Sequence, residues 1–196
     1  MPFAALAALR VEGREPRVQR LDPGAFHVGS DPEEVIVTIL GSCVAACICD
    51  PVARVGGMNH FMLPASADGV WGKASASLRY GNFAMEKLVN ELLMHGARRD
   101  RLEVKLFGGA QLGPDSASIG ARNARFAEDY LRDEGMAVRV SEMRGNRGRR
   151  VLYRPVDGRA FVRELPVVAP GITGVEDRLR QRLTRLPSGG SVELFD

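Results

Sequence analysis

Two side chains are placed by the sequence to do covalent chemistry. Cys43 opens the apolar run Cys43-Val-Ala-Ala-Cys47-Ile-Cys49, and His60 lies within Met58-Asn-His60-Phe-Met-Leu-Pro64. A small-residue turn, Gly41-Ser42, delivers the cysteine, and Asp50-Pro51 turns the chain back towards the histidine. If the two runs form an antiparallel hairpin looped near residues 50–54, the numbers of facing residues sum to roughly 103–105. Cys43 then faces residues 60–62, and His60 lies beside or diagonal to it. A thiol next to an imidazole is a candidate nucleophile–base pair. Such a neighbour can draw a thiol pKa from about 8.5 down to roughly 4–7, supplying thiolate at neutral pH. Backbone N–H groups around Gly41 and Ser42 would receive the charge that develops on an attacked carbonyl oxygen. The second imidazole nitrogen needs an orienting partner. Thr38, on the strand entering the turn, is the nearest polar candidate, whereas Asn59 alternates to the opposite face.

Competing uses of these residues are weaker. Cysteine is a common core residue, and Cys47 and Cys49 follow Cys43 at even spacing, so an uninterrupted strand points all three to one face. Only Cys43 adjoins the flexible turn, and the other two are expected to pack. The spacing Cys-x3-Cys-x-Cys matches no usual structural zinc pattern, and alternate strand positions wrap a tetrahedral ion poorly even with His60 added. No metal is expected. His27 lies in a short strand and His95 ends a helix, and neither has a comparable setting. From the residues alone, the chain reads as a thiol hydrolase or transferase acting on a carbonyl.

The elements that must position this pair come from pattern. Val35–Leu40 is β-branched and bounded by turn residues, which predicts a buried strand leading into Gly41. Ala25–Val28 reads as a short strand before it. Ala65–Ser77, rich in Ala, Ser and Gly, reads as a loop bordering the site. Apolar residues from Phe83 to Met94 recur at helical spacing, predicting a helix over 82–95 capped by Gly96. Leu102–Phe107 alternates as a strand ending at Gly108-Gly109, and a second helix is expected over 121–134. Val138–Met143 is a further strand. Arg150–Pro155 and Arg159–Leu165 flank Asp157-Gly158, a hairpin signal. The tail carries an Arg-rich amphipathic segment at 175–186 and a short run at 192–195. The expected architecture is one α/β domain over 21–196, with helices covering a mixed sheet and a second layer of strands, preceded by a mobile lead-in at 1–20.

Composition agrees with a single globular unit. The 196 residues are 45% hydrophobic and 26% charged, with a net charge of +3. The basic excess is local: seven arginines lie between Arg144 and Arg163 against the single carboxylate of Asp157. An arginine-rich strand face is usually just solvated, although it would also favour an acidic partner. No segment reaches the roughly 18–20 apolar residues that span a bilayer. The first nine residues lack the basic opening of a secretory signal. Three cysteines make no disulfide framework, so a cytoplasmic protein is expected, without nucleic-acid binding or membrane insertion.

The sequence resembles the CheD family, the chemoreceptor glutamine deamidases of bacterial and archaeal chemotaxis. The resemblance runs from about Leu21 to the end and is carried by several motifs in order. They are Thr38-Ile-Leu-Gly-Ser-Cys-Val-Ala-Ala-Cys-Ile-Cys-Asp-Pro51, Met58–Pro64, Phe107-Gly-Gly-Ala110, Ile119-Gly-Ala-Arg-Asn123, Gly145-Asn-Arg-Gly-Arg-Arg150 and Val192-Glu-Leu-Phe195. It implies hydrolysis of selected glutamine side-chain amides on chemoreceptor cytoplasmic helices, giving glutamate and ammonia. It places the catalytic cysteine at Cys43, the histidine at His60 and the threonine at Thr38. It also implies a layered α-β-β sandwich similar to papain-like and toxin Cys-His deamidases, no cofactor, and the CheC phosphatase as a partner. Arg147 and Arg149 are then expected at a basic rim facing receptor helices. Two readings from other classes remain: a non-enzymatic adaptor for receptors or CheC, and a thiol redox or metal protein using Cys43, Cys47 and Cys49.

Overall fold

The computed structural model describes residues 14–63, 76–113 and 116–166, with isolated positions at 174, 178 and 181. Most of the expected loop at 65–77, the Arg-rich amphipathic segment at 175–186 and the short run at 192–195 lie wholly or largely outside the described residues. Among the described residues, nine strands form two sheets. β1 (Arg17–Arg20), β3 (Glu34–Leu40), β8 (Arg149–Arg154) and β9 (Arg159–Glu164) make a four-stranded sheet in that order. β2 (Phe26–Gly29), β5 (Val55–Asn59), β4 (Val44–Asp50), β6 (Glu103–Gly108) and β7 (Val138–Met143) make a five-stranded sheet. Two helices, α1 (Ala76–Met94) and α2 (Ser116–Asp133), complete the described domain.

The β4 strand explains why the layers stack as they do. All seven of its residues are buried, and they alternate between two cores. Val44, Ala46 and Ile48 join Met85, Leu88 and Leu92 of α1 and Phe126 and Leu131 of α2. Cys43, Ala45, Cys47 and Cys49 instead join Ile36 and Leu40 of β3 and Val151 and Tyr153 of β8. A strand covered on both faces loses the usual polar alternation, which is why its sequence is a continuous apolar run. The result is an α-β-β sandwich: helices, five-stranded sheet, four-stranded sheet. Both sheets are mixed, since β1–β3 and β6–β7 pair parallel while the remaining pairs are antiparallel.

Several boundaries differ from the sequence expectation for physical reasons. Residues 17–20, expected within the mobile lead-in, form β1 by pairing with residues 34–37 of β3. All four are exposed, so this edge strand carries no apolar signature. Both helices begin earlier than expected, at Ala76 and Ser116, because their first turns are rich in Ala, Ser and Gly and lack a periodic apolar stripe.

Candidate functional site

The β4–β5 hairpin sets the register on which the site depends. Cys47 faces Met58 and Asp50 faces Val55, so facing residues sum to 105. The chain keeps this register beyond the strand ends, where Val44 bridges Phe61 through two backbone hydrogen bonds of 3.0 and 2.9 Å. Continuing it by one residue puts Cys43 opposite Met62, with His60 diagonal to the cysteine. In an antiparallel pair, diagonal neighbours on one face are about 7–8 Å apart at their backbones, within reach of long side chains. His60 is held on its outer edge as well: its N–H donates to Ala25 at 2.9 Å and its carbonyl accepts from Gly24 at 2.7 Å.

Thr38 arrives from the other sheet. Its side chain is buried, and Oγ1 lies 2.8 Å from His60 Nδ1 and 2.8 Å from the Leu21 carbonyl. A hydroxyl has one proton to give. The carbonyl can only accept it, so Oγ1 must accept from Nδ1–H. This assigns the tautomer: His60 carries its proton on Nδ1, and Nε2 holds the lone pair. Nε2 is buried and has no hydrogen-bond partner among the described residues. Burial pushes the His60 pKa down to about 4, against an opposing pull from the Leu21 carbonyl. The imidazole is therefore neutral at neutral pH, and its basic nitrogen is unpaired.

The turn that carries Cys43 is fixed by its carbonyls. The Gly41 carbonyl accepts from Ala110 N–H, that of Ser42 from Asn123 Nδ2, and that of Cys43 from Gly109 N–H, at 2.7, 2.8 and 2.7 Å. Gly108 makes the close approach possible. It has φ of +108°, and a Cβ there would lie 2.2 Å from the Cys43 carbonyl oxygen. Asn123, fully buried on α2, also accepts from Leu63 N–H at 2.9 Å. One amide thus ties the segment before Cys43 to the segment after His60. Residue-by-residue reasoning gave Asn123 no such part, although an Asn on the otherwise apolar face of an amphipathic helix was the available signal. Asn59 behaves similarly on the opposite face, accepting from Ala46 N–H and donating to the Ala84 carbonyl, at 2.9 and 3.1 Å.

The other expected residues separate clearly. Cys47 and Cys49 lie on the Cys43 face, and burial pushes both thiols above their ordinary pKa, which suits packing rather than attack. Among the described residues, no group of three His, Cys, Asp or Glu is arranged to hold a metal ion. Arg147 is half-exposed and lies 3.6 Å from Glu164. Arg149, expected beside it at the rim, is instead 7% exposed because it lies on the face of β8 shared with Val151 and Tyr153. A cavity of about 280 Å³ between the start of β2, the end of β5 and α1 reaches His60. Phe83 at its edge is 60% exposed, and the Lys87 ammonium lies 5.0 and 5.5 Å from the ring centres of Phe26 and Phe83.

Comparison with known proteins gives the site its context. The model of the CheD family, described as CheD chemotactic sensory transduction, matches residues 62–164. That span begins just after His60, but relatives align more widely. A Rhodopseudomonas palustris protein is 46% identical over 93% of this chain and 88% of its own length. An Acidiphilium cryptum protein is 52% identical over 88% of this chain and 90% of its own. A Caulobacter vibrioides protein is 51% identical over 74% of this chain and 76% of its own. Each of the three bears the name "Probable chemoreceptor glutamine deamidase CheD". Among solved structures, a Neisseria meningitidis protein of the DUF152 family model superposes with a TM-score of 0.39 at 11% identity, covering 67% of this chain and 63% of its own. That likeness is too slight to bear on function.

Proposed function

Because the chain belongs to the CheD family, we propose that it is a chemoreceptor glutamine deamidase working through Cys43, His60 and Thr38. The observation that carries the assignment of roles is the state of His60: Nδ1 is engaged by Thr38, and Nε2 is left as an unpaired base in the layer that contains Cys43.

The neutral imidazole changes the order of events expected from sequence. A stored thiolate–imidazolium pair would need a protonated His60, which burial opposes. Proton transfer therefore accompanies attack. Nε2 takes the Cys43 proton as Sγ bonds to the glutamine Cδ, and the carbonyl π-electrons move onto oxygen. The backbone of Gly41 and Ser42 receives that charge, in a turn whose carbonyls are already fixed from outside. The oxyanion collapses, the C–N bond breaks, and ammonia leaves with the proton from Nε2. Water, deprotonated at Nε2, then hydrolyses the thioester and frees glutamate and the thiol. Thr38 holds the ring throughout, accepting from Nδ1–H while its own hydroxyl donates to the Leu21 carbonyl.

The substrate is a side chain of a folded helix, so the surface must accept a helix. The cavity that reaches His60, with exposed Phe83 and the Lys87 ammonium, suits the apolar and acidic side chains of such a helix, and Arg147 suits the acidic ones. Among the described residues, no helix is long and apolar enough to cross a membrane, and the reading places the protein in the cytoplasm with the receptor helices. CheC binding belongs to the same reading. The test is mass spectrometry of a cognate receptor cytoplasmic fragment incubated with the protein. Each deamidation adds about 1 Da, and a Cys43→Ala variant leaves the mass unchanged if the thiol is the nucleophile. An unchanged mass with the wild type would favour a non-enzymatic adaptor.

A further inference from the structure

A buried arginine near the Cys43 turn has no side-chain partner among the described residues. Arg149 is 7% exposed, and its Nε and Nη1 are buried without hydrogen bonds. A guanidinium does not shed its charge to escape burial, so an unpaired one is costly to keep. A carboxylate is close at hand: Glu164 faces Arg149 directly across the β8–β9 ladder. Glu164 instead turns to Arg147, and no described carboxylate lies within ion-pairing distance of Arg149.

The position of this cation relates it to the site. Arg149 pairs with Leu40, the residue just before the Gly41-Ser42-Cys43 turn, and lies on the β8 face that meets the Cys43 layer. Its Nη2 would lie 3.3 Å from a methyl placed on Gly145. The Gly145 carbonyl accepts from Gln111 N–H at 2.8 Å, and neighbouring Ala110 donates to Gly41. The guanidinium and the nucleophile turn therefore flank the same short segment, Ala110-Gln111.

We propose that Arg149 is a carboxylate-binding group of the substrate site, reading an acidic side chain carried on the same receptor helix as the target glutamine. This rests on the deamidase reading and specifies its substrate: a glutamine with a Glu or Asp close by on the helix surface. A carboxylate can dock on either fork of a guanidinium, Nε with Nη2 or Nη1 with Nη2, and each fork contains one of the two unpaired atoms. Residues three or four apart on a helix are about 5–6 Å apart at Cβ, so a neighbouring acid accompanies the glutamine into the site.

The experiment compares two receptor fragments that share one target glutamine, one with its neighbouring Glu or Asp intact and one with that acid changed to Gln or Asn. Wild-type protein should deamidate the acid-bearing fragment with a kcat/KM at least tenfold higher, mainly through KM. In Arg149→Met that ratio should shrink to within about twofold, and Arg149→Lys should restore part of it. Arg149→Met should also resist urea at least as well as wild type, because an unpaired buried charge has been replaced by an apolar chain. A wild-type ratio near one, or a ratio that Arg149→Met leaves intact, overturns the proposal. So does Arg149→Met losing urea resistance while both fragments slow equally, since Arg149 would then be a structural cation. If wild type deamidates neither fragment, both this inference and the deamidase reading that it rests on are overturned.

Discussion

Acidification should weaken the fold through His60 before any carboxylate contributes. Burial lowers the imidazole pKa from an ordinary 6.5 to about 4. The unfolded chain therefore binds a proton in the window between these values and the folded chain does not. Unfolding is favoured as pH falls, with a slope approaching about 1.4 kcal/mol per pH unit. Over the full window the loss is about 3 kcal/mol, a large part of the roughly 5–15 kcal/mol that holds a domain together. Asp50 acts in the same direction lower down: its backbone and Arg101 bonds outweigh burial and hold it at about 2, so its contribution is lost only as pH falls below about 4. The assay is urea unfolding at several pH values between 7 and 4.5 for wild type and His60→Gln. Subtracting one profile from the other cancels every group but His60. Wild type should lose about 1.6 kcal/mol more than His60→Gln as the pH falls from 6.5 to 5. Parallel profiles would refute a neutral, buried imidazole and with it the tautomer assigned from Thr38.

Further outcomes follow from the same geometry. The acid limb of kcat/KM in a receptor-fragment assay should fall near pH 4 rather than near 6.5, because the free protein needs Nε2 unprotonated. Thr38→Val keeps the volume but removes the acceptor for Nδ1–H and should lower kcat by roughly 10²–10⁴-fold, whereas Thr38→Ser should retain most activity. Asn123→Leu removes the partners of the Ser42 carbonyl and Leu63 N–H together and should cost about 2–4 kcal/mol in urea unfolding. Gly108→Ala should lose activity, because its methyl would meet the Cys43 carbonyl at 2.2 Å in a backbone conformation that disfavours side chains.

The layers and the hairpin were legible in the sequence because each rests on local pattern. The β-branched run at 35–40, the helical spacing from Phe83 to Met94 and the Asp157-Gly158 turn all became the expected elements. Hairpin arithmetic brought His60 diagonal to Cys43 and put Cys47 and Cys49 on the same face. Contacts between distant strands were less accessible. Thr38 was named as the partner of His60 from its place on the strand entering the turn, but the 2.8 Å contact itself is made by the stacking of two separate sheets. Arg149 was expected with Arg147 at a basic rim facing receptor helices, but the pairing of β8 with β3 turned it inward. Asn123 is separated from Ser42 by 81 positions, and only the packing of α2 on β4 and β6 makes it a clamp.

The central claim is that Cys43 forms a thioester with the glutamine side chain. Acid quenching of wild-type protein mixed with a cognate receptor fragment, followed by peptide mapping, tests it most directly. A receptor peptide joined to the Cys43 peptide, released by hydroxylamine, and accumulating when His60→Gln slows hydrolysis is the expected result. Deamidation that proceeds undiminished in Cys43→Ala, with no adduct at that residue, would contradict it.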